Sequence, residues 1–339
     1  MATRKPARTK AAKRNVTKSK PPKGKASKSK PAQKAKAKEG ALLRRNCGTM
    51  AVHMMLLEKY PSFRAHQFQL EQDTALRRAK AFNVKKLKLS TVRVVVNVVY
   101  RTPDENITLG QIRSQISALN RDFGATNPDK TKTPAPWKGL VTDSRIRFTL
   151  FKVQRKQTTK ASFGQDDGVK KASAGGLPPL SPEKYLNLWS CPLGGGLLGY
   201  AQFPGGPAVT DGVVINYRAF GTQGTAKAPF DKGRTATHEI GHFFNLRHIW
   251  GDTEDCSGSD FVADTPNCAG PNFGKPGFPQ VTCNNGPNGD MYVNYMDYTD
   301  DACMYFFTTG QGTRMNAVLS GTRLSITTSQ GCVPRDIAY

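Results

Sequence analysis

The chain has 339 residues, a formal net charge of +25 and only 37% hydrophobic residues, enough for one large domain or two ordinary ones. No run is long and apolar enough for a helical membrane span. The charge is lopsided: residues 1–38 hold fifteen Lys or Arg and no acid, which leaves about +10 for everything after them.

A Lys/Ala/Pro/Ser tract of this kind buries too little apolar surface to offset its ordering entropy, so residues 1–40 are expected to be a disordered basic tail. It is either a solvated extension or an electrostatic arm for nucleic acid or another polyanion, including a membrane surface. No secretory leader is recognisable: MAVHMMLL (50–57) is short, contains His53 and lies too far in. Ala41–Lys85 has helical texture and carries basic pairs at Arg77-Arg78 and Lys85-Lys86 where proteases cut.

From Thr91 the texture changes. TVRVVVNVVYRT (91–102) is β-branched and apolar, the pattern of a buried strand. Ile112, Ile116, Leu119 and Phe123 then mark one face of a helix that stops near Gly124. RIRFTLFKV (145–153) alternates as a strand, and residues 155–182 read as a polar Gly/Pro-rich loop. YLNLW (185–189) and VVINYRAF (213–220) predict two more strands, a helix carrying His238 follows, and after Gly251 the chain is loop-rich. Together these elements predict an α/β (α+β) domain with a mixed sheet.

The stretch HEIGHFFNLRH (238–248) gathers three of the chain's five histidines. A helix brings residues i and i+4 onto one face, so His238 and His242 can share one zinc ion. Glu239, beside the metal but off the ligand line, suits a general base toward water better than a ligand. His248 reaches the same ion only if the helix ends and the chain turns sharply near Asn245. That turn needs a left-handed backbone, cheapest for Gly and best tolerated otherwise by Asn. Downstream, NYMDY (294–298) is either an ordinary turn with a buried Met or the apolar floor of the zinc site. In the second reading Met296 forms the floor and the Tyr298 hydroxyl stabilises the oxyanion of a tetrahedral intermediate.

Seven cysteines, Cys47, Cys191, Cys256, Cys268, Cys283, Cys303 and Cys332, stand singly with no close CxxC pair. They read as disulfide partners from an oxidising compartment, hence a secreted protein, although no leader is visible.

With these residues together the chain resembles the pappalysin-like metzincins, in the branch that includes the cytophagalysins. The resemblance rests on YLNLWSCPLGGGLLGYAQFPGG (185–206), DGVVINYRAFGT (211–222), ATHEIGHFFNLRHIWGD (236–252), DTPNC (264–268) and NYMDYTDDACMYFFTTGQGTRM (294–315). It implies a zinc endopeptidase of metzincin fold, a twisted mixed sheet over the active-site helix, with His238, His242 and His248 as ligands, Glu239 as general base, Met296 in the Met-turn and Tyr298 as an auxiliary. Asn245 is an accepted variant of that branch. The GGGLLGYAQFPG region matches the family's edge strand, which substrate joins as an added antiparallel strand.

The resemblance also implies disulfides Cys256–Cys283 and Cys268–Cys303, which leaves Cys191–Cys332. Some relatives bind calcium in this part of the chain. Asp260, Asp264 and Thr265 supply suitable oxygens, though a plain polar loop is the competing reading. Cys47, in RRNCGTM, has the setting of a cysteine switch, a thiolate on the zinc that keeps a proenzyme latent. Arg44 and Arg45 are expected to favour that thiolate and Gly48 to allow close approach.

The expected organisation is a tail (1–40), a prosegment (41–88), an N-terminal catalytic subdomain (89–251) and a smaller disulfide-bonded C-terminal subdomain (252–339). Activation would cut between about Arg77 and Lys88. The expected protein is a monomer acting on protein or peptide substrates, and Asp300 and Asp301 are candidates to line a pocket for basic residues. The alternative is a nucleic-acid- or polyanion-binding protein that works through its basic arm, with a structural or vestigial zinc site.

Overall fold

The computed structural model describes residues 44–79, 84 and 87–328. The basic tail, Cys332 and residues 80–83 and 85–86 of the expected cleavage region lie outside them. The described residues form one compact unit.

The centre is a five-stranded sheet: β1 (Ser90–Tyr100), β2 (Ile146–Gln157), β3 (Leu186–Cys191), β4 (Gly199–Ala201) and β5 (Val213–Asn216), in the order β2-β1-β3-β5-β4. All neighbours run parallel except β4, which is antiparallel to β5 and forms the edge. The valine run of β1 serves both faces at once. Val92, Val94, Val96 and Val98 join the main core, while Val99 packs in a second cluster with Trp189, Tyr200 and Val214. This is why its hydrophobicity is continuous rather than alternating.

Two strands differ from expectation. β2 runs to Gln157, four residues beyond RIRFTLFKV and into the expected loop. β5 stops at Asn216, because the Asn216 side chain accepts from the Arg218 amide (3.1 Å) and turns Tyr217–Ala219 into a 3-10 helix.

The main core holds helix α3 (Leu109–Phe123) and the buried helix α4 (Arg234–Phe243) under the sheet. Thr108 caps α3 by accepting from the Gln111 amide at 3.1 Å. α4 is fastened at its start by carboxylates. Asp301 Oδ2 accepts from the Lys232 and Arg234 amides (2.8 and 3.2 Å), and Thr237 donates to Asp122 at 2.7 Å.

The N-terminal segment forms α1 (Thr49–Lys59) and α2 (Pro61–Ala79), broken where Pro61 starts the second helix. Val52, Leu56 and Phe63 bury themselves in the second cluster, against Leu197, Tyr200 and Phe203. After Gly251 the chain is mostly loop, with the short pair β6 (Phe273–Gly274) and β7 (Tyr298–Thr299). It also holds a helix the sequence reading missed, α5 (Thr309–Leu319), and a final turn α6 (Ser325–Thr328). α5 begins with a capping box in which Thr308 and Gln311 satisfy each other's amides.

The disulfide expectations need correction. Cys256–Cys283 is formed, but Cys268 and Cys303 are buried free thiols and not a bridge. Each sulfur has its own neighbours: Cys303 bonds with Tyr305, Cys268 with the Gly270 backbone, and burial pushes both thiols up. Cys191 is likewise a free thiol, fully buried in β3, and its supposed partner Cys332 lies outside the described residues.

Candidate active site

α4 delivers His238 and His242 one turn apart on one face. It then ends where Phe244 and Asn245 leave the helix, and Leu246 N closes back on Gly241 O at 2.9 Å. Asn245 has φ +71°, the left-handed corner that the turn to His248 requires. Valine in that conformation is strained, and glycine is not. Asn245→Val is therefore expected to lower zinc affinity by roughly 10- to 100-fold, as other losses of ligand orientation do. Asn245→Gly should leave it nearly unchanged. A chelator competition titration measures both.

Each histidine is oriented through Nδ1: His238 on Tyr295 O (2.7 Å), His242 on Leu246 O (2.8 Å), His248 on Asp252 Oδ1 (2.5 Å). The three Nε2 atoms therefore converge. His242 Nε2 lies 3.2 Å from His238 Nε2 and 3.1 Å from His248 Nε2. Ligands of a tetrahedral zinc at about 2.0–2.1 Å stand about 3.3 Å apart. Burial and the neighbouring imidazoles hold the His238 and His242 pKa values well below normal, so both rings offer neutral lone pairs. Three lone pairs aimed at one point, with every Nδ1 tied to an acceptor, fit a zinc ion.

The floor is Met296, fully buried. A Cβ on Gly241 would come within 2.5 Å of its sulfur, so this helix position has room only for glycine. Trp250 stacks on His248 (4.3 Å between centroids, 6° between planes), and Tyr298 leans on the same ring at 4.9 Å. The Tyr298 hydroxyl reaches the Cys47 carbonyl at 3.5 Å.

Cys47 completes the cluster. Its sulfur and one nitrogen from each of the three histidines all lie within 4.8 Å of one another. No second such group of His, Cys and carboxylate side chains occurs among the described residues. Cys47 Sγ donates to Glu239 Oε2 at 3.2 Å, and Thr49 Oγ1 donates to the same oxygen at 2.8 Å. Burial raises the Glu239 pKa to about 7, against the pull of these two donors and Arg45.

The expected help from Arg44 and Arg45 toward a thiolate is not what the chain provides. Arg44 lies over Phe273 at 3.5 Å, and Arg45 turns away to Asp301. Burial and the Glu239 charge push the Cys47 thiol well above its ordinary value. A bound divalent cation is the remaining influence that would draw out its proton.

Residues Asn46–Thr49 lie along edge strand β4. Leu198 N donates to Asn46 O (3.0 Å), Gly48 N to Gly199 O (2.9 Å) and Ala201 N to Thr49 Oγ1 (2.8 Å). Cys47 pairs parallel to Gly199, the reverse of the direction expected for substrate. A Cβ on Gly199 would approach Glu239 Cγ to 2.9 Å, so this glycine gives the carboxylate its space. Beside it Arg45, 3% exposed, fills a pocket, donating to Asp301 Oδ1 (2.6 Å), Thr235 Oγ1 (3.2 Å) and Thr299 O (3.2 Å). Asp300 stays half-buried and makes no such contact.

The calcium expectation is not supported. Asp260 accepts from the Val262 amide (2.9 Å) and Thr265 Oγ1 (2.7 Å). Asp264 accepts from Thr308 Oγ1 (2.6 Å) and the Gly310 amide (2.8 Å) at the start of α5. These contacts hold the loop and cap a helix. Sequence reasoning also missed Thr49 and Asp252, although Asp252 stands four residues after His248 and carried a readable signal.

Residues 180–320 match the family model described as pregnancy-associated plasma protein-A, a peptidase family. An extracellular metalloprotease of Arthroderma otae is 32% identical over 231 residues, covering 66% of this chain and 76% of that protein. One from Pyricularia oryzae is 37% identical over 221 residues, covering 62% and 66%. Among solved structures, mature mirolysin of Tannerella forsythia with a cleaved peptide is 44% identical, with a TM-score of 0.69 over 71% of this chain and 97% of that one. A promirolysin mutant from the same organism is 40% identical, with a TM-score of 0.76 over 84% and 97%.

Proposed function

The chain belongs to the pappalysin-like metzincins, a family of metalloendopeptidases, and from that premise we propose a zinc endopeptidase kept latent by its own N-terminal segment, with Glu239 as general base. The observation that carries this reading is the convergence of three Nε2 atoms with Cys47 Sγ lodged between them and Glu239. The experiment that tests it compares peptide cleavage by the full-length chain before and after limited trypsin digestion, with and without chelator. Cleavage that appears on digestion and vanishes with chelator is expected. Cleavage at the same rate before digestion would contradict latency.

Zinc held by His238, His242 and His248 would polarise the scissile carbonyl and acidify water there. The chain supplies the rest. Glu239 takes a proton from the attacking water at the carboxylate that Cys47 and Thr49 now cover, and passes it to the leaving amine. Tyr298, beside His248, donates toward the oxyanion. The free edge of β4 binds the peptide backbone as an added antiparallel strand, once Asn46–Thr49 have left it.

Latency follows from the same contacts. Cys47 takes the place water needs, and Arg45 and the backbone of Asn46–Gly48 fill the cleft on a path of opposite direction to the substrate's. A reversed chain presents no carbonyl in register for attack. The wider span of the promirolysin match, 84% of this chain against 71% for the mature form, supports reading residues 44–79 as a prosegment. The extracellular relatives support secretion. The polyanion-arm alternative draws no support, because Glu239 and the three histidines form an intact site.

Arg45 also marks a specificity pocket. Asp301 is fully buried and holds the start of α4 with one oxygen, leaving the other for a cation. A basic substrate residue next to the scissile bond would take Arg45's place. Asp301→Asn keeps an acceptor for the two amides and removes the charge. It should reduce kcat/KM for peptides with Arg or Lys by roughly tenfold or more relative to Leu. A peptide-library cleavage profile reads this, and an unchanged Arg/Leu ratio would remove Asp301 from recognition.

A further inference from the structure

A second side chain of the N-terminal segment sits in a pocket that the body of the protein builds. Glu71 Oε1, on α2, accepts from Arg314 Nη2 at 2.5 Å and from Asn245 Nδ2 at 3.3 Å. Arg247 adds a positive charge close enough to act on the same carboxylate. Arg314 does not owe its position to Glu71. Its side chain is 1% exposed, its Nε donates to Asn245 O at 2.7 Å, and its guanidinium lies 5.5 Å over the Phe261 ring. Arg247 shares that ring from 5.3 Å. Asp252 acts on Arg247 and Asp260 lies close enough to Arg314 to feel its charge, but Glu71 is the carboxylate that bonds Arg314 directly, and its departure leaves a buried guanidinium with less compensation. When α2 leaves, the pocket stands ready for another anion. In the unprocessed chain a cavity of about 310 Å³ lies beside this contact, lined by Glu71, Gln72 and Ala75 of α2 and by Phe261 and Arg314 of the body.

The pocket has a defined place in the cleft. Asn245 is the corner between His242 and His248. One turn before Glu71, Gln67 donates to Pro204 O at 2.5 Å, just past the C-terminal end of β4. A peptide antiparallel to β4 has its N-terminal residues at that end. Resting on the endopeptidase reading above, we propose that this pocket is a carboxylate-binding subsite. It takes an Asp or Glu of the substrate on the N-terminal side of the scissile bond, and Glu71 occupies it in the unprocessed chain. Substrate choice then has two charged anchors: Asp301 for a basic residue and Arg314 for an acidic one on the other side of the cut.

The test uses full-length chain activated by limited trypsin digestion, on peptides in which one Glu, with Gln as its control, is walked through the positions before the scissile bond. At one or two neighbouring positions Glu should raise kcat/KM about tenfold over Gln, mainly through KM, the scale of a charge-assisted contact. Arg314→Gln should bring that ratio close to one. Cleavage of the all-Gln peptide, and its loss with chelator, reports on peptidase activity separately. A Glu/Gln ratio near one at every position in the wild type, which needs no folded variant, overturns the subsite and leaves the peptidase reading intact. A preference that survives Arg314→Gln overturns it too.

Discussion

Glu239→Gln in the processed chain is expected to lower kcat by at least about 10²–10⁴-fold, the range general-base catalysis supplies, while the protein keeps its zinc. The separation of effects follows from the geometry. Glu239 lies next to His238 on α4, but its carboxylate bonds to Cys47 and Thr49 and is not among the atoms that cluster as ligands. Glutamine has the same shape, so the tight fit against Gly199 is preserved and the ligands do not move. Fluorogenic-peptide kinetics and metal analysis on one preparation measure both quantities. A variant that cleaves at the wild-type rate would remove Glu239 from the chemistry, and one that loses zinc would make it structural.

Cys47→Ala in the unprocessed chain is expected to raise peptide cleavage by roughly tenfold or more, a loss of at least about 1.4 kcal/mol of closure. The gain should stop short of the processed rate. Arg45 remains paired with Asp301, Asn46 and Gly48 remain bonded to β4, and Thr49 still covers Glu239. A further Arg45→Ala change should release more, because it removes the ion pair with buried Asp301 and the bonds to Thr235 and Thr299. Initial rates on a short peptide, taken before any processing is visible on a gel, are the measurement. If Cys47→Ala stays as silent as the wild type, the thiol is not the switch and the segment inhibits by covering the cleft alone.

Local chemistry was legible in the sequence wherever one short stretch held it all. HEIGHFFNLRH contained the helix, the three converging histidines, Glu239 and the left-handed corner, so Asn245 at φ +71° could be anticipated from residue type. β1 and α3 were legible for a similar reason, since each carries an unbroken apolar pattern. The missed features depend on partners far apart in the chain. Arg45 reads as a helper of the Cys47 thiolate until Asp301, 256 positions on, closes the pocket around it. Glu71 and Arg314 are separated by 243 positions. α5 was missed because Gln311, Gly312, Thr313, Arg314 and Asn316 are buried along with Met315, Ala317, Val318 and Leu319, so no apolar stripe stands out from a polar face. Asp260 and Asp264 were legible as hard oxygens close together in sequence, but not the backbone amides and hydroxyls that bond to them.

The central claim, a zinc site closed by the chain's own thiol, is tested most directly by X-ray absorption at the zinc edge, on the full-length chain before and after processing. The unprocessed protein should show three nitrogen ligands at about 2.0–2.1 Å and one sulfur at about 2.3 Å, and the processed protein should lose the sulfur and keep the nitrogens. A shell without sulfur before processing, or one that does not change on processing, would contradict the account.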